Sequence, residues 1–161
     1  MDSTPPRLLA DAMLGRLARW LRVLGYDTAY DPTAADPELV ARAAAEGRVL
    51  LTRDRGLLRD LRPARALEVR ADAPLDQLRQ VVDALALPAP ARLFTRCMLC
   101  NAELTPVPDA ERAALVPEGA RGLPGPVHRC PRCGRVYWMG SHARRMRAAL
   151  GQALPGWFPP E

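Results

Sequence analysis

Three aspartates in the first third of the chain, Asp11, Asp36 and Asp54, have the chemistry of a divalent-cation site. Asp11 follows the apolar run RLLA and Asp54 lies just after the apolar run RVLLT, so each stands where a short buried strand would end. Groups at the carboxyl ends of parallel strands project into the crevice in which α/β folds bind ligands. Converging carboxylates repel one another unless a cation compensates them, and oxygen-rich sites suit Mg²⁺ or Mn²⁺. The pattern therefore indicates metal-dependent phosphoryl chemistry.

Each of these aspartates also has a structural interpretation, as the cap of a helix. Asp11 could cap a helix that begins near Met13, and Asp54 could cap the segment RGLL. Asp36 precedes Pro37 and has the sequence of an N-cap with proline at the first helical position. Further acidic candidates near the same elements are Asp31, Glu38 and Asp60.

Arginines near the acids are candidate phosphate ligands. Arg16 and Arg19 lie three residues apart in a predicted helix, so they share one face of it. Arg53 and Arg55 flank Asp54 directly. These four side chains could neutralise the charge of a bound phosphate, although a solvated helix face is the structural alternative for Arg16 and Arg19.

All 23 basic residues are arginine, and the absence of lysine excludes several classes of enzyme. Walker-type NTPases, pyridoxal-phosphate enzymes and Schiff-base enzymes rely on a lysine. Receiver domains and haloacid-dehalogenase-like phosphatases use strand-end aspartates but usually add a lysine. A serine-triad hydrolase needs a histidine, and both histidines, His128 and His142, lie in the cysteine-containing part. Metal-dependent chemistry on nucleic acid or on a small phosphate ester remains.

The four cysteines form two CxxC pairs, CMLC and CPRC. Each pair places two sulfurs on one tight turn, and two turns can complete a tetrahedral zinc site. Asn101 and Gly134 follow the pairs, where such a turn favours residues that tolerate a positive φ. Two disulfides are the alternative, but a cytosolic chain disfavours them. Four thiolates leave no open coordination position, so a structural zinc ion is expected on Cys97, Cys100, Cys130 and Cys133.

The C-terminal part is basic, since residues 93–161 carry nine arginines and five acids. Arg144, Arg145 and Arg147 lie close together on a predicted helix, with Tyr137 and Trp138 just before it. In one interpretation the arginines bind RNA phosphates and the aromatic rings stack on bases. In the other, Tyr137 and Trp138 pack the ribbon against the α/β domain and the arginines are solvated.

Alternating strands and helices must position these residues. The predicted strands are RLLAD, YDTAYD, RVLLT and ALEV, and the predicted helices are MLGRLARWLRVLG, DPELVARAAAEG, RGLLRDL and PLDQLRQVVDALAL. Strands that alternate with helices indicate an α/β fold with a mainly parallel sheet. Such a sheet would bring the strand ends that carry Asp11 and Asp54 to the same side of the domain.

A change in composition after the segment PAPAR, residues 88–92, predicts a domain boundary. We expect an α/β domain over residues 1–92, a zinc ribbon over 93–140, and a basic helix with a loosely held tail over 141–161. No apolar run reaches the roughly 18 residues of a membrane helix. The N-terminus also lacks the features of a signal peptide, so the cytoplasm is the expected compartment.

Five segments occur in the order found in a known family: LLADAMLGRLARWLRVLGYDT, DPELVARAAAEGRVLLTRDRGLL, CMLCNAEL, CPRCGRVYW and GSHARRM. On these motifs the chain resembles, from about residue 7 to about residue 147, the PIN-like ribonucleases with a C-terminal zinc ribbon, the Mut-seven-C RNase domain family. The resemblance implies a three-layer α/β/α PIN-like domain followed by the ribbon. It also implies metal-dependent ribonuclease activity.

Matched by position, the resemblance implies that Asp11, Asp36 and Asp54 are the acids of the active site and that the four cysteines are the ribbon ligands. Pro37 departs from the family pattern, because a further acid is common there. The expected function is a Mg²⁺- or Mn²⁺-dependent ribonuclease acting on single-stranded RNA, with structural zinc. The alternatives are a non-catalytic RNA- or protein-binding adaptor with the same fold, and a small-molecule phosphatase.

Overall fold

Four short strands form a parallel sheet at the centre of the N-terminal part. The computed structural model describes residues 4–159. The strands are β1 (Arg7–Ala10), β2 (Thr28–Tyr30), β3 (Arg48–Thr52) and β4 (Ala66–Glu68), in the sheet order β2-β1-β3-β4. Every neighbouring pair is parallel. Because β1 and β3 are neighbours, the residues that follow them meet at one edge of the sheet, as the sequence predicts.

Helices cover both faces of this sheet. The helices are α1 (Gly15–Val23) and α4 (Pro74–Ala84) on one face, and α2 (Asp36–Glu46) and α3 (Arg55–Leu61) on the other. Successive strand side chains point to opposite faces. Leu8 and Leu51 are therefore buried on the side of α1, whereas Leu9 and Leu50 are buried on the side of α2. The predicted three-layer α/β/α architecture is confirmed.

The ends of α1 and α2 are determined by local sequence. A 3-10 turn over Ala12–Leu14 precedes α1, and Gly25, with a φ of 93°, follows it. The N-cap of α2 is Ala35, so the prediction that Asp36 is the cap is wrong by one residue. The reason is that Glu38 supplies the capping contact: its Oε2 accepts a hydrogen bond from the Ala35 N–H at 3.4 Å.

The C-terminal part forms a small antiparallel ribbon. Its strands and helices are β5 (Thr105–Pro106), α5 (Asp109–Leu115), β6 (His128–Arg129), β7 (Val136–Tyr137) and α6 (Ser141–Ala153). The three strands pair in the order β5-β6-β7. A separate small core of Val116, Ala120 and Val127 supports them. The ribbon has little apolar interior of its own, as expected for a module that depends on a metal.

Helix α6 returns to the α/β layers and packs on α4. Leu150, Ala153 and Leu154 are buried in the same core as α1 and α4, and Arg79 donates from Nε to the Ala153 carbonyl at 2.9 Å. Trp157 and Phe158 of the predicted loosely held tail also pack against this core. The last two residues of that tail lie outside the described part. None of the helices within residues 4–159 has both the length and the apolar character needed to cross a lipid bilayer.

The buried leucines of the sheet give the first testable prediction. Leu51 is fully buried at the centre of β3, so Leu51→Ala should lower the free energy of unfolding by about 2–5 kcal/mol through lost burial and a residual cavity. Leu61 at the end of α3 is 38% exposed, so Leu61→Ala should change the free energy of unfolding by only about 0.5 kcal/mol. Denaturant titration of both variants measures the difference. Equal costs for the two would contradict the burial described here.

Candidate active site and cysteine centre

Asp11 lies directly after β1 and is held by three hydrogen bonds. Its Oδ1 accepts from the Met13 N–H at 3.0 Å. Its Oδ2 accepts from the Thr52 hydroxyl at 2.5 Å and from the Arg53 N–H at 3.3 Å. The residue is 6% exposed. The predicted cap is therefore present, because the contact of Oδ1 with Met13 closes the 3-10 turn. The other carboxylate oxygen, Oδ2, is directed to the end of β3.

Asp54 lies at the end of the neighbouring strand and is exposed. Its Oδ1 accepts from the Leu57 N–H at 3.0 Å, so it caps α3 as predicted. Within the described residues its Oδ2 has no hydrogen-bond partner. Its own N–H donates to the Thr52 hydroxyl at 3.0 Å. A single hydroxyl therefore joins the two strand-end acids, since it donates to Asp11 and accepts from Asp54.

Sequence reasoning missed Thr52. The signal available was its place as the last residue of RVLLT, one position beyond Leu51, which is paired with Ala10 in β1. That register puts the Thr52 side chain beside Asp11. A fully buried threonine hydroxyl needs a hydrogen-bond partner, and here the partner is the carboxylate.

Asp36 is at the first position of α2, at the same edge of the sheet, and is exposed. It does not join the other two acids in a tight cluster. In the part of the chain that the structure describes, only the cysteines form a group of three or more ligand atoms within 4.8 Å of one another. The further acidic candidates have local roles: Asp31 accepts from Thr33, Glu38 caps α2, and Asp60 pairs with Arg59.

Asp11 and Asp54 are the carboxylates at this edge that could hold a divalent cation. A carboxylate offers about four lone-pair positions, so Asp11 retains about one beyond its three hydrogen bonds. Asp54 keeps the whole of Oδ2. Mg²⁺ is usually held by one or two carboxylates, with water and substrate phosphate completing its coordination. The donor set suits such a cation, and Asp36 could take part through a water molecule.

The predicted phosphate ligands differ in their present partners. Arg53 donates to Asp72 at 2.8 Å and also to the Ala71 carbonyl, and Arg55 donates to Glu68 at 2.8 Å. Neither pairs with Asp54. Within residues 4–159, Arg16 and Arg19 make no hydrogen bond and no ion pair. Arg144 and Arg145 are exposed on α6.

The four cysteine sulfurs lie within 4.8 Å of one another. The Sγ atoms of Cys97 and Cys133 are 3.7 Å apart, and those of Cys100 and Cys130 are 3.3 Å apart. Both distances are far longer than a disulfide bond of about 2.05 Å. A tetrahedral site with Zn–S bonds of about 2.3 Å places its sulfurs about 3.8 Å apart. The geometry therefore excludes the disulfide alternative and suits a structural metal such as zinc.

Two equivalent turns carry these sulfurs, the first knuckle (residues 97–102) and the second knuckle (residues 130–135). Asn101 has a φ of 69° and Gly134 a φ of 78°, as predicted for these positions. The Asn101 N–H donates to the Cys97 carbonyl at 2.9 Å, and the Gly134 N–H donates to the Cys130 carbonyl at 2.9 Å. The backbone of each knuckle is therefore closed by its own hydrogen bonds.

Comparison with known proteins decides the family. A family model described as the Mut7-C RNAse domain matches residues 6–150. The chain belongs to this family. No curated protein and no solved structure matches it. The Mut7-C RNAse domain of this chain thus includes the parallel sheet, both knuckles and most of α6 in one matched unit.

In this Mut7-C RNAse domain the first knuckle is docked on the open edge of β2. The Asn101 Oδ1 accepts from the Thr28 N–H at 3.0 Å, and the Asn101 Nδ2 donates to the Asp27 Oδ1 at 2.8 Å. Arg22, which is buried in α1, donates from Nη1 to the carbonyls of Met98 and Leu99, each at 3.1 Å. The knuckle therefore satisfies backbone groups that would otherwise leave an edge strand unpaired.

Asp27 connects this knuckle with the sheet. Its Oδ1 also accepts from Arg48 Nη1 at 2.7 Å, and its Oδ2 accepts from Arg7 Nε at 3.3 Å. Burial alone would raise the pKa of the Asp27 carboxyl. The hydrogen bonds from Arg48, Asn101 and Arg7, together with the charge of Arg48, outweigh it and lower that pKa to about 2.

The aromatic residues before α6 face inward. The Tyr137 hydroxyl accepts from the Met98 N–H at 3.1 Å and lies 3.1 Å from the Cys97 sulfur. Burial and this sulfur contact raise the pKa of Tyr137, so its hydroxyl stays protonated and can donate to the thiolate. Trp138 packs against the small core of the ribbon. Both rings therefore pack within the ribbon, and the packing of the ribbon against the α/β domain by these two rings stays a prediction.

Removal of the metal should unfold the knuckles. Four close thiolates without a cation repel one another, so we expect one zinc ion for each chain, and chelation should dissolve the ribbon structure. Elemental analysis and near-ultraviolet circular dichroism, with its Tyr137 and Trp138 signals, measure both effects. Cys97→Ser should reduce zinc content in the same way. A ribbon that keeps its aromatic signal after complete chelation would contradict a structural metal.

The Asp27 contacts predict a loss of stability that does not depend on pH near neutrality. Asp27→Asn should lower the free energy of unfolding by about 1–3 kcal/mol, because it removes the acceptor of charged donors. Because the pKa of Asp27 is lowered in the folded protein, its contribution to the free energy of unfolding is complete above the ordinary pKa of 3.8. That contribution is lost as the pH falls toward about 2. The difference in free energy of unfolding between Asp27→Asn and wild type should therefore be the same at pH 7 and at pH 5.5. Asp60→Asn, at an exposed ion pair, is the control and should cost about 0.5 kcal/mol or less.

Proposed function

We propose that the protein is a Mg²⁺- or Mn²⁺-dependent ribonuclease that hydrolyses phosphodiester bonds of single-stranded RNA. The observation that carries the proposal is the hydroxyl of Thr52, which joins Asp11 and Asp54 at one edge of the sheet. Membership of the Mut7-C RNAse domain family supports the choice of RNA as substrate. The parallel sheet supports the location, because ligands of such folds bind beyond the carboxyl ends of the strands.

Asp11 and Asp54 would hold the catalytic cation. When bound, a divalent cation lowers the pKa of a water molecule and offsets charge on the phosphate. Asp11 is oriented by its three hydrogen bonds, so its carboxylate is fixed before the cation arrives. Asp54 is exposed and presents Oδ2 toward solvent. Asp36, at the start of α2, would act as a third ligand or orient the attacking water.

Arginines would stabilise the negative charge that develops on the phosphate. Arg53 is adjacent to both acids, and its present partner Asp72 is 95% exposed. Exposed ion pairs contribute little, so Arg53 could exchange Asp72 for a phosphate at small cost. Arg55 is itself 82% exposed, and its partner Glu68 also pairs with Arg70, so Arg55 could leave Glu68 for a phosphate without stranding that carboxylate. Arg16, Arg19, Arg144 and Arg145 would supply further phosphate contacts along the strand.

The four cysteines would bind zinc in a structural role. A complete set of four thiolates leaves no position for water or substrate, so this zinc would take no part in hydrolysis. Its contribution would be to hold the first knuckle against β2. The ribbon would thereby aid RNA binding.

One observation favours a second candidate, a non-catalytic RNA- or protein-binding adaptor that keeps the same fold. The carboxylate oxygens of Asp11, Asp36 and Asp54 do not all lie within 4.8 Å of one another, as the four cysteine sulfurs do. An adaptor needs no such convergence. It would bind RNA without metal-dependent turnover.

Substitution of the two joined acids tests the catalytic proposal. Asp11→Asn and Asp54→Asn should each reduce cleavage of a labelled single-stranded RNA by about 10²–10³-fold in the presence of Mn²⁺, since each removes charge that holds the cation. Asp54→Asn is exposed and should leave the fold unchanged. Asp83→Asn, an exposed acid on α4, is the matched control and should cleave at the wild-type rate.

Circular dichroism of each variant separates loss of catalysis from loss of folding. Wild-type protein that binds the RNA but does not cleave it with Mn²⁺ or Mg²⁺ would favour the adaptor. Cleavage at the wild-type rate by both folded Asp→Asn variants would refute the acidic site.

A further inference from the structure

A cavity of about 310 Å³ lies between α1 and the first knuckle. Arg16 and Arg19 line it from α1, Tyr30 lines it from the end of β2, and Met98 and Leu99 line it from the knuckle. We name it the knuckle groove. It brings together the α/β layers and the cysteine ribbon, which contribute opposite walls.

Tyr30, in the wall of the knuckle groove, is hydrogen-bonded to the segment that follows Asp11. Tyr30 is the last residue of β2, and its hydroxyl donates to the carbonyl of Ala12, the neighbour of Asp11, at 3.0 Å. The Tyr30 ring lies against the start of α1, where a Cβ on Gly15 would come within 2.9 Å of the Tyr30 hydroxyl oxygen. Glycine at this position therefore permits the ring to form a wall that leads from the acids into the groove.

The knuckle groove is lined by basic side chains on the α1 side. Arg16 and Arg19 are exposed, and among the described residues neither has a hydrogen-bond or ion-pair partner. No acid is found among the described residues that line the groove. By contrast, Arg53 and Arg55 each have a carboxylate. Two unpaired guanidinium groups on one helix face are complementary to the phosphates of a nucleic-acid strand.

The opposite wall is apolar. Leu99 at the tip of the knuckle is 40% exposed, although large aliphatic side chains are usually covered. Met98 and Tyr30 are half-buried beside it. Single-stranded nucleic acid is bound by basic grooves whose walls offer apolar or aromatic surface to the bases. The knuckle groove has both parts.

We propose that the knuckle groove binds the RNA strand on one side of the scissile phosphate. Arg16 and Arg19 contact successive phosphates, and a base lies against Tyr30 and Leu99. The choice of RNA rests on the proposed ribonuclease function. The cysteine centre then forms part of the substrate path, because Met98 and Leu99 are held in place by Arg22 and lie within the first CxxC turn.

The electrostatic half of the proposal is tested by binding, in the Asp54→Asn background so that RNA is not cleaved. Fluorescence anisotropy with a labelled single-stranded RNA should show that Arg16→Ala with Arg19→Ala raises Kd about tenfold or more at 0.15 M salt. The dependence of log K on log salt should flatten by about 1.4, which corresponds to two lost phosphate contacts on a single strand. Arg42→Ala with Arg65→Ala, which removes the same charge far from the groove, should do neither.

The apolar half is tested with a matched leucine pair. Leu99→Ala should raise Kd about two- to tenfold without changing the salt dependence, because a base contact and not a phosphate contact is lost. Leu61→Ala, equally exposed on α3, should bind as wild type. Zinc content of the Leu99 variant should be unchanged, which separates loss of contact from loss of the knuckle.

These measurements fail independently of the ribonuclease proposal. Weaker RNA binding by the variant Arg16→Ala with Arg19→Ala supports the groove as an RNA-binding site even if wild-type protein does not cleave RNA. Unchanged Kd and salt dependence for Arg16→Ala with Arg19→Ala would overturn the groove even if the Asp11 and Asp54 variants lose cleavage. Absence of RNA binding by wild-type protein, or equal affinity for a double-stranded RNA of the same length, would also overturn it.

Discussion

The Asp27 carboxylate accepts from Arg7 of β1, from Arg48 of β3 and from Asn101 of the first knuckle. It therefore joins three parts of the chain that are distant in sequence at the amino end of the sheet. The buried Arg48 guanidinium needs an acceptor, and so does the Asn101 amide of the first knuckle. One carboxylate meets both needs. The position of the ribbon relative to the α/β layers follows from this contact and from the Arg22 hydrogen bonds.

The opposite edge of the sheet is organised differently. There the Thr52 hydroxyl donates to the Asp11 carboxylate and accepts from the Asp54 backbone N–H, and no arginine within residues 4–159 forms an ion pair with Asp54. The amino edge thus carries neutralised charge and serves stability, whereas the carboxyl edge keeps an exposed anionic group. A parallel sheet separates these two tasks, because stabilising contacts at one edge do not occupy the edge where ligands bind. The arginines on the face of α1 near Asp11 add positive charge at this edge, opposite in sign to the charge of the acids.

Much of this architecture could be predicted from sequence, because it depends on local patterns. The apolar runs before Asp11 and Asp54 predicted adjacent strand ends, and the CxxC spacing predicted one four-sulfur centre with left-handed residues at Asn101 and Gly134. What could not be predicted depends on which surfaces meet. The contact of Asn101 with Asp27 joins residues 74 positions apart, and nothing near either residue indicates the other. The inward orientation of Tyr137 likewise depends on a neighbour, the Cys97 sulfur, that spacing alone does not identify. The shifted cap of α2 does have a local signal, because Glu38, three residues after Ala35, makes the capping contact.

Helix α6 completes the core that begins with β1. Leu150 and Leu154 cover α4 and lie in the same apolar cluster as Leu8 and Leu17, yet the ribosome makes them after both knuckles. While the chain is being synthesised, the apolar face of α4 therefore lacks its cover until the ribbon has emerged. Domains tend to fold from the N-terminus as they appear, but here the core of the first layers is complete only once the last helix has been made. The order of synthesis thus couples maturation of the nascent sheet to completion of the ribbon.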